Sequence, residues 1–90
     1  MLNRVFFENE FPGIVEAFAK QQKCEKPVME FILYSGQTFM ALNIVKIENR
    51  WIHLEALTED RQQMQTFIPY KNIARLSLYA KLPPRSSAGF

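Results

Sequence analysis

Thr38-Phe39-Met40-Ala41-Leu42-Asn43-Ile44-Val45-Lys46-Ile47, then Glu48-Asn49-Arg50, then Trp51-Ile52-His53-Leu54-Glu55-Ala56-Leu57, is the stretch that decides the fold. Its second half alternates apolar and polar residues with a period of two, which marks a strand with one buried face and turns Ile52, Leu54 and Ala56 inward. Its first half is long and apolar on both faces over most of its length. A strand reads this way when it is covered on both sides, or when it bends sharply across a small barrel. The polar Glu48-Asn49-Arg50 between the two halves is a short turn.

The same period continues on either side. Upstream, Val28-Met29-Glu30-Phe31-Ile32-Leu33-Tyr34 reads as a strand ended by the turn signal Ser35-Gly36. Downstream, the polar run 58–63 is a loop, Met64 to Ile68 is a fourth strand stopped by Pro69, and Ile73 to Tyr79 is a fifth. In the fifth strand Ala74, Leu76 and Leu78 share one face, and Arg75 and Ser77 the other. Before the strands the period is helical, since Phe11, Ile14, Val15 and Phe18 fall at i, i+3, i+4 and i+7. Pro12 suits a first turn, Glu10 and Glu16 lie toward the dipole-positive end, and Lys20, Lys23 and Lys26 crowd the other end before Pro27. A helix is expected over 11–23 and a barrel over 28–79. Residues 1–10 are expected to form an arm, with Leu2 to Phe7 either extended or fraying, and 81–90 a flexible tail. The expected fold is mainly β: an N-terminal α-helix followed by a five-stranded, strongly bent antiparallel barrel.

Ninety residues make one domain, which buries only about 60% of its unfolded surface. Against that limit, 48% hydrophobic residues with eight Phe is a surplus, and a surplus implies that another subunit covers part of it. A net charge of +2 does not by itself predict nucleic-acid binding, although repetition around a ring would multiply a local patch. The single cysteine, Cys24, excludes an intrachain disulfide and a thiolate metal cage. No run approaches the roughly 18 apolar residues of a membrane span, and the first residues do not read as a secretory signal. No membrane partner and a cytoplasmic location are expected.

The stretch from Lys26 to Leu78 resembles the Sm-like family, which includes the bacterial RNA chaperone Hfq. Val28 to Gly36 sits where the family has its first strand and turn glycine, and Ala41 falls where a small residue lets the long strand bend. Trp51 to Leu57 resembles the strand that closes the first motif, and Ile68-Pro69-Tyr70-Lys71-Asn72-Ile73-Ala74-Arg75-Leu76 resembles the second motif. The pair Tyr70-Lys71 resembles a Tyr-Lys pair in Hfq. The resemblance implies an SH3-like barrel of the Sm-like kind, in a homo-oligomeric ring of about five to seven subunits. In such rings the fourth strand of one protomer pairs with the fifth of the next. The departures fall on the family's RNA pocket. Its Asp-x-aromatic-x-Asn turn is replaced by Ile47-Glu48-Asn49-Arg50-Trp51, its Arg-Gly pair by Pro69-Tyr70, and the Hfq histidine by Asn72.

A site for RNA needs planar groups for stacking and cations for phosphate, gathered on one rim. Asn49, Arg50 and Trp51 at one turn, and Tyr70, Lys71 and Asn72 at another, supply that mixture. The same aromatic residues also read as strand-end packing, with Asn49 as a plain turn former. Lys20, Lys23 and Lys26 read either as a second basic face or as solvated partners of the helix dipole. His53 and Glu55 share a side of one strand, but the only histidine lacks further ligands, so a cross-strand polar contact is the expected role. No catalytic residue, metal or cofactor is expected. Two functions remain: a ring that binds single-stranded RNA or another single-stranded nucleic acid, or an oligomeric scaffold or protein-interaction module without the family's pocket, a kind of short chain that occurs in phage.

Overall fold

The structure, a computed structural model, describes residues 2–84. A helical run packs on five antiparallel strands: β1 (Val28–Leu33), β2 (Thr38–Ile47), β3 (Trp51–Leu57), β4 (Gln63–Pro69) and β5 (Ile73–Tyr79). The strands form one sheet in the order β4-β3-β2-β1-β5. The protein is therefore mainly β, as its alternation of residues implies. Among the described residues no helix is long and apolar enough to cross a membrane.

The sheet has to bend. β4 and β5 are its two edges, yet only a three-residue 3-10 turn, Tyr70–Asn72, joins them. In a flat sheet those edges would lie four strand spacings apart, roughly 19 Å. Four peptide links reach about 15 Å when fully extended, and less in a helical turn. The bend is concentrated in β2. Its register against β3 shifts between Ala41 and Asn43 and again between Ile44 and Lys46, and each extra residue increases local bend and twist. Ala41, completely buried, pairs with Met29 of β1 on one side and Ala56 of β3 on the other. A small side chain at that point lets the two halves of the sheet fold together. Among the described residues no ladder joins β4 to β5, so the curved sheet is not closed into a barrel by its own hydrogen bonds.

The chain before the strands differs from the expected arm. Helical geometry begins at Arg4, runs through a π turn over Phe6–Glu10, and continues as α1 (Phe11–Gln22). Asn3 starts it, its side-chain oxygen accepting from the Phe6 N–H at 3.0 Å. In a regular helix Pro12 would clash with the Glu8 carbonyl and leave it without a donor, and the wide turn falls where that clash would occur. The π turn also brings Phe6, Phe7 and Phe11 together, with ring centroids 5.1 to 5.8 Å apart. Burial of those rings outweighs the poorer turn geometry. At the other end Lys23 takes the left-handed conformation (φ 54°), and the Lys23 and Cys24 amides donate to the Lys20 and Ala19 carbonyls.

Phe7 is the plug of the core. It is fully buried, stacks on Phe31 at 6.0 Å and on Tyr70 at 5.8 Å, and sits over Ile52, Leu54 and Ile68 of the same cluster. Gly36 (φ 92°) closes the β1–β2 turn in a conformation that favours glycine, its N–H donating to the Leu33 carbonyl. Of the tail expected over 81–90, Leu82 and Pro83 are half-buried and the Pro83 carbonyl accepts from the Arg61 guanidinium at 2.6 Å. Residues 85–90 lie outside the described residues. Replacing Phe7 with Ala empties the centre of the aromatic cluster and is expected to cost about 3–5 kcal/mol in urea unfolding. Val5→Ala, at an exposed position of the same helical run, is expected to stay within about 0.5 kcal/mol.

Candidate nucleic-acid interface

Bending the sheet brings three turns to one end. Tyr70, which opens the 3-10 turn, donates its N–H to the Arg50 carbonyl at 3.1 Å and its hydroxyl to the Glu48 carbonyl at 2.6 Å. Trp51 is the register partner of Pro69. The Tyr34 N–H at the β1–β2 turn donates to the Asn72 carbonyl at 3.0 Å. The candidate residues from the two motifs, Asn49-Arg50-Trp51 and Tyr70-Lys71-Asn72, are thus neighbours on one rim.

They do not all face solvent. Tyr70 is buried, stacked on Phe7, and cannot act as a base platform. Its place at the strand end is a packing role, because the ring fills the mouth that the bent sheet leaves open. Burial foremost, then the nearby Glu8 carboxylate, raises the Tyr70 pKa above its ordinary value, with Glu48 adding and Arg4 opposing. The phenol is therefore a neutral donor to the Glu48 carbonyl at any physiological pH. Asn49 is exposed but engaged, accepting from the Arg4 guanidinium at 2.9 Å.

What remains open on the rim is Trp51, 43% exposed, with the exposed Arg50, Lys71 and Asn72. Tyr34 joins them at 75% exposure, an aromatic that the strand pattern alone leaves as one more residue of β1. The signal for it lies in the alternation: Phe31 is the last fully buried residue of β1, and Tyr34 stands one step past the strand, beside the glycine turn. The acids near the rim are already paired, Glu8 with Arg4 at 3.2 Å and Glu48 with Lys46 at 3.1 Å. Among the described residues Arg50 and Lys71 have no carboxylate partner. Two exposed rings and two unpaired cations make a rim able to stack bases and contact phosphates.

The other candidate groups separate. Lys20 pairs with Glu16 at 3.7 Å along the helix, and Lys26 donates to the Asn43 side chain, so the lysines at the helix end do not act as one basic face. On the outer face of the sheet His53 contacts Gln65 at 2.6 Å and stacks on Phe67 at 4.2 Å, while Glu55 accepts from Asn43 at 2.6 Å. Both have cross-strand amide partners, and among the described residues no three His, Cys, Asp or Glu side chains gather as metal ligands would. Cys24 is half-buried where it follows the helix. No family model matches the chain, and neither a curated protein nor a solved structure matches it.

The Tyr70 hydroxyl gives a measurable pH dependence. Its pKa is raised in the folded state, so its contribution is complete below the ordinary tyrosine range and is lost as pH rises through the folded pKa. Unfolding free energy is expected to fall above about pH 10, and to fall less steeply in Tyr70→Phe. At neutral pH that variant is expected to lose about 1 kcal/mol with the hydrogen bond to Glu48. Equal alkaline slopes in the two proteins, by urea titration at each pH, would remove the hydroxyl from the account.

Proposed function

We infer that the protein is a self-assembling protomer of the Sm-like kind, whose ring presents the rim of Tyr34, Arg50, Trp51 and Lys71 to single-stranded RNA. The observation that carries this reading is the strand order, β4-β3-β2-β1-β5, in which each outer strand is paired on one side only among the described residues. A ring built by joining the fourth strand of one protomer to the fifth of the next needs those two strands, and no others, at the edges. β4 has no charged residue and β5 only Arg75, so neither edge is guarded against pairing by the charges that protect natural sheet edges. A heterologous contact of this kind closes into a ring when its rotation divides a full turn. Repetition then sets several copies of the rim around one axis, and the two cations of each copy become a basic track.

One observation favours the second reading, a scaffold without nucleic acid. The buried Tyr70 and the missing Asp and Asn of the family's pocket leave only half of the expected platform. The readings part in one experiment, fluorescence anisotropy with labelled oligo(U) and oligo(A) at low salt. Binding is expected, weakened by Arg50→Ala with Lys71→Ala, whose salt slope falls by about 0.7 for each cation removed per contact. Trp51→Ala is expected to lose about 1–3 kcal/mol per stacked base, roughly 5- to 150-fold in affinity. An assembled protein that binds neither oligonucleotide at micromolar concentration is the scaffold.

A further inference from the structure

α1 does not lie flat on the sheet. Of its twelve residues only Phe11 is buried, while Val15 and Ala19, one and two turns further along the same face, are half-buried. The helix pivots on Phe11, and its C-terminal half stands off the strands. The space beneath it is a wedge of about 570 Å³, within the range of small-molecule sites. Val15 and Ala19 form its helix side, Met29, Ile44 and Ile47 its sheet side, and the buried Pro27 borders it where the chain enters β1.

β2 is shaped toward this wedge. Leu42 has no register partner, because it falls between Ala41, paired with Ala56 on the inner face, and Asn43, paired with Glu55 on the outer one. A bulge re-aims the side chain it releases, and Leu42 lines the wedge beside Ile44. The walls are apolar, but the mouth is not. Glu16, Glu25, Lys26 and Asn43 border it. The Lys26 ammonium donates to the Asn43 side-chain oxygen, and the Asn43 amide donates to Glu55 at 2.6 Å. A neutral amide thus holds Lys26 at the mouth, and among the described residues Lys26 has no carboxylate partner.

Charge decides which kind of molecule fits. Residues 16–27 contain three lysines and two glutamates, and Glu16 is already paired with Lys20 at 3.7 Å. Lys23 and Lys26 then stand against Glu25 alone, so this segment favours an anion. A carboxylate would give the Lys26 ammonium a charge-assisted partner that the Asn43 amide does not supply. An alkyl chain in the wedge would cover Val15, Ala19 and Leu42, and burial of that apolar surface would supply most of the affinity.

We propose that the wedge beneath α1 binds a single-chain apolar carboxylate of the fatty-acid type, its chain between Ala19 and Met29 and its carboxylate on Lys26. The open mouth leaves the headgroup in water while the chain is buried, so no charge has to be desolvated completely. The site lies on the β2 side of the helix, away from the rim, and needs neither the ring nor RNA.

Calorimetry on the full chain tests it, with dodecanoate below its micelle concentration and dodecylamine and dodecanol as cationic and neutral controls. Dodecanoate is expected to bind at one site per chain, and more tightly than dodecylamine. In spectra of methyl-labelled methionine it is expected to shift Met29, which lines the wedge, and to leave Met64 of β4 in place. Lys26→Gln, at an exposed position, is expected to weaken dodecanoate about fivefold, the scale of one solvent-accessible ion pair, and to leave dodecanol unchanged. No binding of dodecanoate, or binding that leaves the Met29 methyl unmoved, would overturn the site. Dodecylamine binding as tightly as dodecanoate, or dodecanoate indifferent to Lys26→Gln, would overturn the assignment of a carboxylate.

Discussion

The turn between the two edge strands must cross the mouth of the bent sheet in three residues, and Tyr70 anchors that crossing. Its amide is tied to Arg50, its hydroxyl to Glu48, and its ring to Phe7, so one side chain joins the β2–β3 turn, the 3-10 turn and the helix. Each hydrogen bond is worth about 1 kcal/mol net, and the buried ring contributes more through its area. Phe7 cannot be the plug unless Tyr70 lies flat beneath it, and the rim turns cannot meet unless Tyr70 draws them together. The candidate interface is thus a by-product of core packing. The residues that bring the turns together are buried, and the residues able to meet a ligand are the exposed ones they leave at the edge.

The same bend creates the unpaired edges. A sheet of only five short strands, curved this strongly, brings the ends of β4 and β5 close at the connecting turn without forming a ladder along their length. The helix covers the open mouth with Phe7 and Phe11, both buried, and leaves an apolar groove on its β5 side. Among the described residues no further element covers that groove, which is how an apolar surplus in the composition becomes a located surface. Edge backbone and exposed apolar side chains fall together on that side of the sheet.

Most of the β architecture was legible in the residues because each strand has one buried face and each turn a polar or glycine signal. Ile52, Leu54 and Ala56 are completely buried, as their alternation requires, and Ala41 stands at the first register shift of β2. The helical part was legible only from Phe11 onward. Upstream of it the wide turn breaks the 3.6-residue period, so Phe6 and Phe7 cannot be recognised as core by spacing; the readable sign was Asn3 as a capping residue. Tyr70 misled as a binding residue for a related reason. Its motif position at a strand end fits both a platform and a plug, and only the three-dimensional path of the 3-10 turn separates them. Tyr34 was hidden in an apolar run whose last member lies beyond the strand. The absence of a β4–β5 ladder among the described residues could not be read from the strand pattern, which records the buried face and says nothing about which edge is paired; only the resemblance implied it.

The rim has a consequence for how assembly and nucleic-acid binding would relate. One copy offers two unpaired cations, Arg50 and Lys71, and two exposed rings, Tyr34 and Trp51. Two phosphate contacts give a weak interaction with a shallow salt dependence, and the small net charge of +2 adds little long-range attraction. In a ring each further copy binds the same strand as an intramolecular event, at a high effective concentration fixed by the rigid spacing of the sites. In the proposed ring, affinity would depend on the number of copies far more than on the quality of any one site. The reverse also follows: under the proposed reading a substitution that prevents assembly, far from Arg50 and Lys71, would weaken binding at least as much as removing those cations, whereas removing them would leave assembly intact.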